Sequence, residues 1–400
     1  MIELTACIYM NRQVVDLFSK FGRILLVSCA VLLPAALLPS AAHADGQPAV
    51  SAKSAIVVGM DGGQVLFAKN EHEKLPIAST TKIMTALLTL EAAEQNNRVV
   101  TITPEMVRVE GSSMGLRAGD QLTLRALAEG MLTVSGNDAA NSAAIAVGGT
   151  LAGFVDRMNQ KARFLGLNDT HFVTPSGLDD KNHYSSAADL AALTAAAMGN
   201  PDFSAIVSQQ KIQISFEQPG MTRVYTNHNR LLAMYSGCTG VKTGFTKKSG
   251  RCLVSTAQKD GIRLVCVTLS DPDDWDDHKK LLDYGFSRLV CFKVDDSGCT
   301  GSVRVVGGTQ ESVPLMGAPG ENIVLETEEA ADISRKVELP RFVYAPVQAG
   351  QVLGSVDYIS GGKVIAKTEL TACRCVPQEE IGQPVFQGLL DWFHWLFFGY

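Results

Sequence analysis

Four hundred residues, 46% hydrophobic and 19% charged, can bury a sizeable core and exceed what one core usually organises, so at least two folded units are expected. The formal net charge of -6 offers no electrostatic footprint for a phosphate backbone, which excludes nucleic acid as a partner.

The chain opens with Arg12, Lys20 and Arg23, then the apolar run Ile24 to Leu38, then Ala42-His43-Ala44 before Asp45. A basic lead, an apolar stretch and an A-x-A site make residues 1–44 a secretory signal. Its removal leaves Cys238, Cys252, Cys266, Cys291, Cys299, Cys373 and Cys375 in an extracytoplasmic setting. Cys373-Arg374-Cys375 has no second pair at metal spacing, so no metal is expected. Cys266 and Cys291, in apolar runs, read as buried and inert.

Ala55-Ile56-Val57-Val58 and Val65-Leu66-Phe67 flank Asp61-Gly62-Gly63, which predicts a hairpin. From Ser79 to about Glu94 the chain is rich in Ala, Leu, Met and Thr without Gly or Pro, so it predicts a helix apolar on most sides and deeply buried. Further helices are expected at Leu122 to Glu129, Asp138 to Val147, Gly153 to Leu165 and Ala187 to Met198. Strands return at Val241 to Thr246, Arg251 to Ala257 and Arg263 to Leu269. Strands at both ends with helices between them describe an α+β domain, placed at residues 45–294, whose sheet joins distant parts of the chain. Short β-rich stretches broken by Gly and Pro then predict a small all-β sandwich over 295–378. The end of the chain, 379–400, reads as an amphipathic helix: Gln387, Asp391 and His394 share one narrow face and apolar, mostly aromatic and leucine side chains cover the rest. Its apolar stretch is shorter than the roughly 20 residues a spanning helix needs, so it is expected to lie in a membrane surface.

Three short segments carry chemistry. In Ser79-Thr80-Thr81-Lys82 the spacing puts a hydroxyl and an amine on one face of a first helical turn. A serine is a poor nucleophile until a base takes its proton, and a lysine can serve once burial and nearby cations make it neutral. Ser135-Gly136-Asn137 lies in a turn between helices, and Lys242-Thr243-Gly244 in a strand running on through Phe245 to Thr246. In this order the three reproduce the S-x-x-K, S-x-N and K-T-G set of serine acyl-transfer enzymes.

With Gly111-Ser112-Ser113-Met114, Ala118-Gly119-Asp120, Thr174-Pro175-Ser176-Gly177-Leu178 and His183-Tyr184-Ser185-Ser186-Ala187-Ala188-Asp189-Leu190, the sequence resembles the low-molecular-mass penicillin-binding proteins of the D-alanyl-D-alanine carboxypeptidase family from about residue 50 onward. The resemblance implies a penicillin-binding, serine β-lactamase-like catalytic domain, with helices on an antiparallel sheet, followed by the β-domain and terminal helix. It implies removal of the terminal D-alanine from peptidoglycan stem peptides without a cofactor, with β-lactam antibiotics as covalent inhibitors. By the same resemblance Ser79 is the acylated nucleophile, Lys82 its base and Ser135 a proton relay to the leaving group. Asn137 would hold the peptide amide, Lys242 supply positive potential, and Thr243 and Thr246 bind the substrate carboxylate. Gly244 belongs to the same substrate-binding strand, and the backbone N–H groups of Ser79 and Phe245 would form the oxyanion hole.

Two positions depart from that pattern. Asn227-His228-Asn229 stands where some relatives have an arginine facing the substrate carboxylate, which leaves the cation for that carboxylate unassigned. Phe245 follows the K-T-G where some relatives have a histidine.

The rivals are a class A β-lactamase, an endopeptidase or transpeptidase of the same fold, and a non-catalytic muropeptide-binding wall protein. No glutamate occurs between Gly130 and Phe216, which excludes the class A arrangement. A disulfide between Cys238 and Cys252 would tie down the Lys242 strand, provided their Cα atoms lie within about 7 Å.

Overall fold

The computed structural model describes residues 46–380 and 386–399, so the signal expected at 1–44 lies outside the described residues. The two apolar runs around Asp61-Gly62-Gly63 pair as β1 (Ser54–Gly59) and β2 (Val65–Lys69), with Ala55 opposite Lys69. Far along the chain, β7 (Cys238–Thr246), β8 (Gly250–Lys259) and β9 (Ile262–Leu269) complete an antiparallel sheet in the order β2-β1-β9-β8-β7. Its central strands are covered on both faces, and the period-two pleat decides which side chain goes where. Ile56, Val265 and Val267 join the core shared with the helices of the middle of the chain. Ala55, Val57, Leu264 and Cys266 pack with Leu281 and Leu282 of a helix at Asp274–Arg288.

The helix expected from Ser79 begins as a 3-10 turn, Ala78–Thr81, and becomes α-helical over Lys82–Gln95. Thr80 and Thr81 turn their hydroxyls back onto the carbonyls of Ile77 (2.7 Å) and Ala78 (2.8 Å), which tightens that first turn. As its composition predicts, the α-helix is buried nearly all round, from Lys82 through Leu87 and on to Leu90. Around it stand helices Leu124–Thr133, Asn137–Gly148, Leu151–Phe164 and Ala187–Met198. The first starts later than its apolar pattern suggests. Thr123 caps it by accepting from the Ala126 N–H, while Leu122 pairs with Val100 in a small hairpin of β3 (Val99–Thr101) and β4 (Gln121–Thr123).

The sequence reading missed a second hairpin, β5 (Lys211–Phe216) and β6 (Met221–Thr226), although Ile212, Ile214 and Phe216 alternate cleanly inward. It also missed the Asp274–Arg288 helix, whose three first-turn aspartates, Asp274, Asp276 and Asp277, look like a loop but stabilise a helix N-terminus.

The chain divides into two units, with Val324–Thr327 joined to the residues up to Cys291 and the other described residues from Phe292 onward forming the second. The division thus falls slightly ahead of the 294/295 boundary read from the sequence, and one short segment crosses it. The second unit is built on a β-sheet, with β14 (Ser334–Glu338), β16 (Val352–Ser360), β17 (Lys363–Ala372), β12 (Ser312–Gly317), β11 (Thr300–Val306) and β15 (Val343–Tyr344) hydrogen-bonded in that spatial order, and carries most of a short helix at Thr327–Ala331; strands are numbered along the chain, with β10 (Leu289–Phe292) and β13 (Ile323–Glu326) pairing separately. Asp296, fully buried in this unit, is paired with Arg335 and receives the hydroxyls of Tyr358 (3.1 Å) and Thr368, so its charge is not left uncompensated.

Helix Phe386–Phe398 closes the described chain. Leu390, Trp392, Trp395 and Phe397 are among its exposed apolar side chains. No described helix is long and apolar enough to cross a membrane.

The seven cysteines from Cys238 onward are free thiols. The disulfide considered for Cys238 and Cys252 is ruled out by register. Cys238 stands opposite Ala257 and Cys252 opposite Gly244, so the two lie at different levels of the hairpin, well beyond bridging reach at about 3.4 Å per residue. Cys266 is buried as expected, whereas Cys291 is only half-buried.

Candidate active site

Ser79 sits at the mouth of the buried helix, preceded by Ala78 in the left-handed region (φ 46°). Strand β7 passes beside it as the edge of the five-stranded sheet. Gly244 makes this approach possible: a Cβ there would stand 3.0 Å from the Ile77 carbonyl oxygen and 3.1 Å from the Ser79 nitrogen. The K-T-G glycine therefore lets β7 run close against the turn that carries Ser79.

Lys82 is 0% exposed and its Nζ makes three contacts that fix its position. It donates to Asn137 Oδ1 at 2.6 Å and to the Ser176 carbonyl at 2.7 Å, and lies within hydrogen-bond distance of Ser79 Oγ at 2.9 Å. Burial, and then the nearby Lys242, hold its pKa well below the usual lysine value, against a smaller opposing pull from Asp138. Lys242, 1% exposed, is itself lowered to about 7 by burial, and its Nζ donates to the Thr243 carbonyl at 2.9 Å. The amine beside the Ser79 hydroxyl is thus buried, and the nearby Lys242 makes it harder for Lys82 to hold a proton.

Asn137 ties the S-x-N turn to its surroundings. Besides accepting from Lys82, it donates through Nδ2 to the Glu110 carbonyl at 2.6 Å, so both ends of its carboxamide are engaged within the protein. Ser135, in the left-handed region at φ 61°, is nearly buried and lines the cleft with Ser79. The next residue of the turn, Asp138, gathers the 113–116 loop: its carboxylate accepts from the Met114 N–H (3.0 Å), the Leu116 N–H (3.0 Å) and the Ser113 hydroxyl (2.6 Å).

From the other side, Thr85 donates to the Pro175 carbonyl at 2.6 Å and holds the 174–177 segment on the buried helix, which sets the Ser176 carbonyl against Lys82. His183 completes this wall. Its Nδ1 accepts from the Val173 (3.0 Å) and Thr174 (3.3 Å) N–H groups, so the proton sits on Nε2, which donates to Thr81 Oγ1 at 2.8 Å. Burial lowers its pKa to about 4 and keeps it neutral.

The resulting cleft, ≈ 300 Å³, is lined by Ser79, Ser112, Ser135, His228, Thr243, Gly244, Phe245, Arg251, Asp274 and Trp275. The structure therefore brings together the residues singled out in all three motifs, except that the Thr246 hydroxyl is turned to Asp179 (2.9 Å) and Ser249 (3.0 Å). Sequence reasoning gave no part to Arg251, Asp274 or Trp275. The hairpin offered a partial signal, since Arg251 falls directly opposite Phe245.

The sequence profile described as D-alanyl-D-alanine carboxypeptidase matches residues 41–273. The chain belongs to this family. A second profile, the C-terminal domain of penicillin-binding protein 5, matches residues 291–378. Among curated relatives of the family, D-alanyl-D-alanine carboxypeptidase DacF of Bacillus subtilis is 31% identical over 348 residues, 85% of this chain and 89% of that protein. DacB2 of Mycobacterium tuberculosis is 36% identical over 261 residues, 62% of this chain and 88% of that one. Penicillin-binding protein 5 from Haemophilus influenzae superposes with a TM-score of 0.61 at 30% identity, covering 83% of this chain and 99% of that structure. The Streptomyces K15 DD-transpeptidase gives 0.58 at 30% identity, covering 60% of this chain and 99% of its own. As a low-molecular-mass penicillin-binding protein of this family, the chain is a serine D-alanyl-D-alanine carboxypeptidase that acts on peptidoglycan stem peptides and binds β-lactams.

Proposed function

We propose that Ser79 Oγ attacks the carbonyl of the penultimate D-alanine and that neutral Lys82 takes its proton; the 2.9 Å contact between Lys82 Nζ and Ser79 Oγ, in a site that disfavours a charged lysine, is the observation that carries this reading. The Ser79 and Phe245 N–H groups receive the oxyanion, each donor contributing roughly 3 to 4 kcal/mol to the tetrahedral state. Ser135 relays the proton to the departing amine, and D-alanine leaves. Water then hydrolyses the Ser79 ester and regenerates the hydroxyl. Asn137 holds Lys82 in the free enzyme and exchanges one of its contacts for the substrate amide. Thr243 receives the terminal carboxylate, and Thr246, three residues further along the strand, joins it by releasing the Asp179 and Ser249 contacts of its hydroxyl.

Ser79→Ala is expected to abolish both penicillin labelling and D-alanine release, and undiminished labelling of that variant would place the nucleophile elsewhere. A second reading, transfer of the acyl group to an amine acceptor, draws on the likeness to the Streptomyces K15 DD-transpeptidase. Mass-spectrometric product analysis with a pentapeptide muropeptide separates the two.

The chain-level reading is that residues 1–44 direct export, that residues 45–294 form the catalytic domain and 295–378 the β-domain, and that the terminal helix rests in the outer surface of the cytoplasmic membrane beside the substrate. Exposed Trp392, Trp395 and Phe397 support that last assignment, because aromatic side chains favour the membrane interface.

A further inference from the structure

A substrate ending in D-alanine brings a carboxylate into the cleft, and residues 227–229 supply no arginine to meet it. His228 lines the cleft, but burial and then Lys242 lower its pKa, so at neutral pH it offers a hydrogen bond and no charge. Lys242 is buried, with its Nζ on the Thr243 carbonyl.

Arg251 is placed differently. It stands directly opposite Phe245 in the β7–β8 pair, so the pleat puts it on the same face as Phe245 and makes Thr243 its diagonal neighbour. Its guanidinium lies 5.7 Å from the Trp275 ring centroid, and a terminal nitrogen is 2.8 Å from Asp274 Oδ1. These contacts orient the planar group without saturating it. The side chain is 41% exposed, and its buried Nε has no hydrogen-bond partner. A guanidinium stays charged over the whole physiological range, and its fork matches a carboxylate.

We propose that Arg251, oriented by Trp275 and Asp274, is the cation that receives the C-terminal carboxylate of the substrate, next to the Thr243 hydroxyl. The proposal rests on the acyl-enzyme reading, in which the carboxylate must lie in the cleft that holds Ser79. It makes Arg251 a specificity-determining residue supplied by the neighbouring strand in place of the one missing at 227–229.

The test compares a peptide ending in D-alanyl-D-alanine with the same peptide carrying a C-terminal carboxamide, on the full-length enzyme and its Arg251→Gln and Arg251→Lys variants. Wild type should prefer the acid. Arg251→Gln should lower kcat/KM for the acid by about tenfold, mainly through KM, and change the amide little. Arg251→Lys, which keeps the charge but not the fork, should retain part of the preference. An unchanged acid-to-amide ratio in Arg251→Gln, or an equal loss on both peptides, overturns the assignment. Labelling with saturating penicillin keeps the two readings apart: wild type that carries no adduct on Ser79 refutes the acyl-enzyme reading, whereas a labelled Arg251→Gln variant with wild-type preference refutes only the role of Arg251.

Discussion

Gly177 lies so close to Ala78 that a Cβ added to it would stand 1.9 Å from the Ala78 carbonyl oxygen. Gly177 also has φ 84°, where other residues are strained, and Ala78 is the residue that sets the direction of Ser79. Gly177→Ala should therefore push on the turn that carries the nucleophile. Strain and overpacking of this kind cost about 1–3 kcal/mol each. The expected result is a lower Tm together with markedly slower acylation by a fluorescent penicillin; a variant acylated at the wild-type rate would show that the turn yields without moving Ser79.

The lysine pair makes a prediction about pH. Lys242 is lowered to about 7 from the ordinary 10.5, so between these values the unfolded chain holds a proton that the folded chain has released. Stability from this group consequently rises as pH increases from about 7 toward 10.5, and the penalty for burying the charge is greatest below 7. Denaturant unfolding of wild type and Lys242→Met at pH 7 and pH 9.5 should show the wild type gaining on the variant at the higher pH. The same variant removes a cation beside Lys82, so the acid limb of its acylation rate should move to higher pH. An unmoved limb would mean that the two amines do not communicate.

His183 predicts the opposite end of the scale. Its folded pKa of about 4 lies below the ordinary 6.5, so the unfolded chain takes up a proton first and stability falls as pH drops from about 6.5 to 4. His278 adds to the same slope: it is buried between the Ser255 (2.7 Å) and Thr268 (3.0 Å) hydroxyls and lowered to about 3. Urea midpoints measured across this window should decline in wild type and decline less steeply in His183→Asn. Equal slopes would show that the histidine is accessible to protons in the folded state.

Deleting the chain after Gln383 removes the terminal helix. The truncated protein should be released from membranes yet still cleave small D-alanyl-D-alanine peptides, while detergent and not salt should release the full-length protein, because the helix carries no lysine or arginine. Persistence of the truncated enzyme on membranes after confirmed signal cleavage would assign the attachment to another part of the chain.

The division of labour between sequence and tertiary structure follows from the range of the interactions involved. Local pattern was enough for the hairpin around Asp61-Gly62-Gly63, the buried helix after Ser79 and the Ala187–Met198 helix, because periodicity and turn residues act within a few positions. The three motifs were legible for a similar reason: Ser79 to Lys82 is one helical turn, and Lys242 to Gly244 is a short piece of strand. What joins them was not legible. Lys82 meets Asn137 and Ser176, Thr81 meets His183, and Arg251 enters the cleft beside Trp275, all through contacts set by packing between distant segments. The pairing of β1 with β9, over 190 residues apart, and the register of β7 on β8 decide which side chains share a face. A shift of one residue there would turn Arg251 away from the cleft, and the composition of the strand would be unchanged. The order of residues sets which groups can perform the chemistry; only the assembled sheet and helices, by burying two amines and packing Gly244 against the Ser79 turn, set their charge and reach.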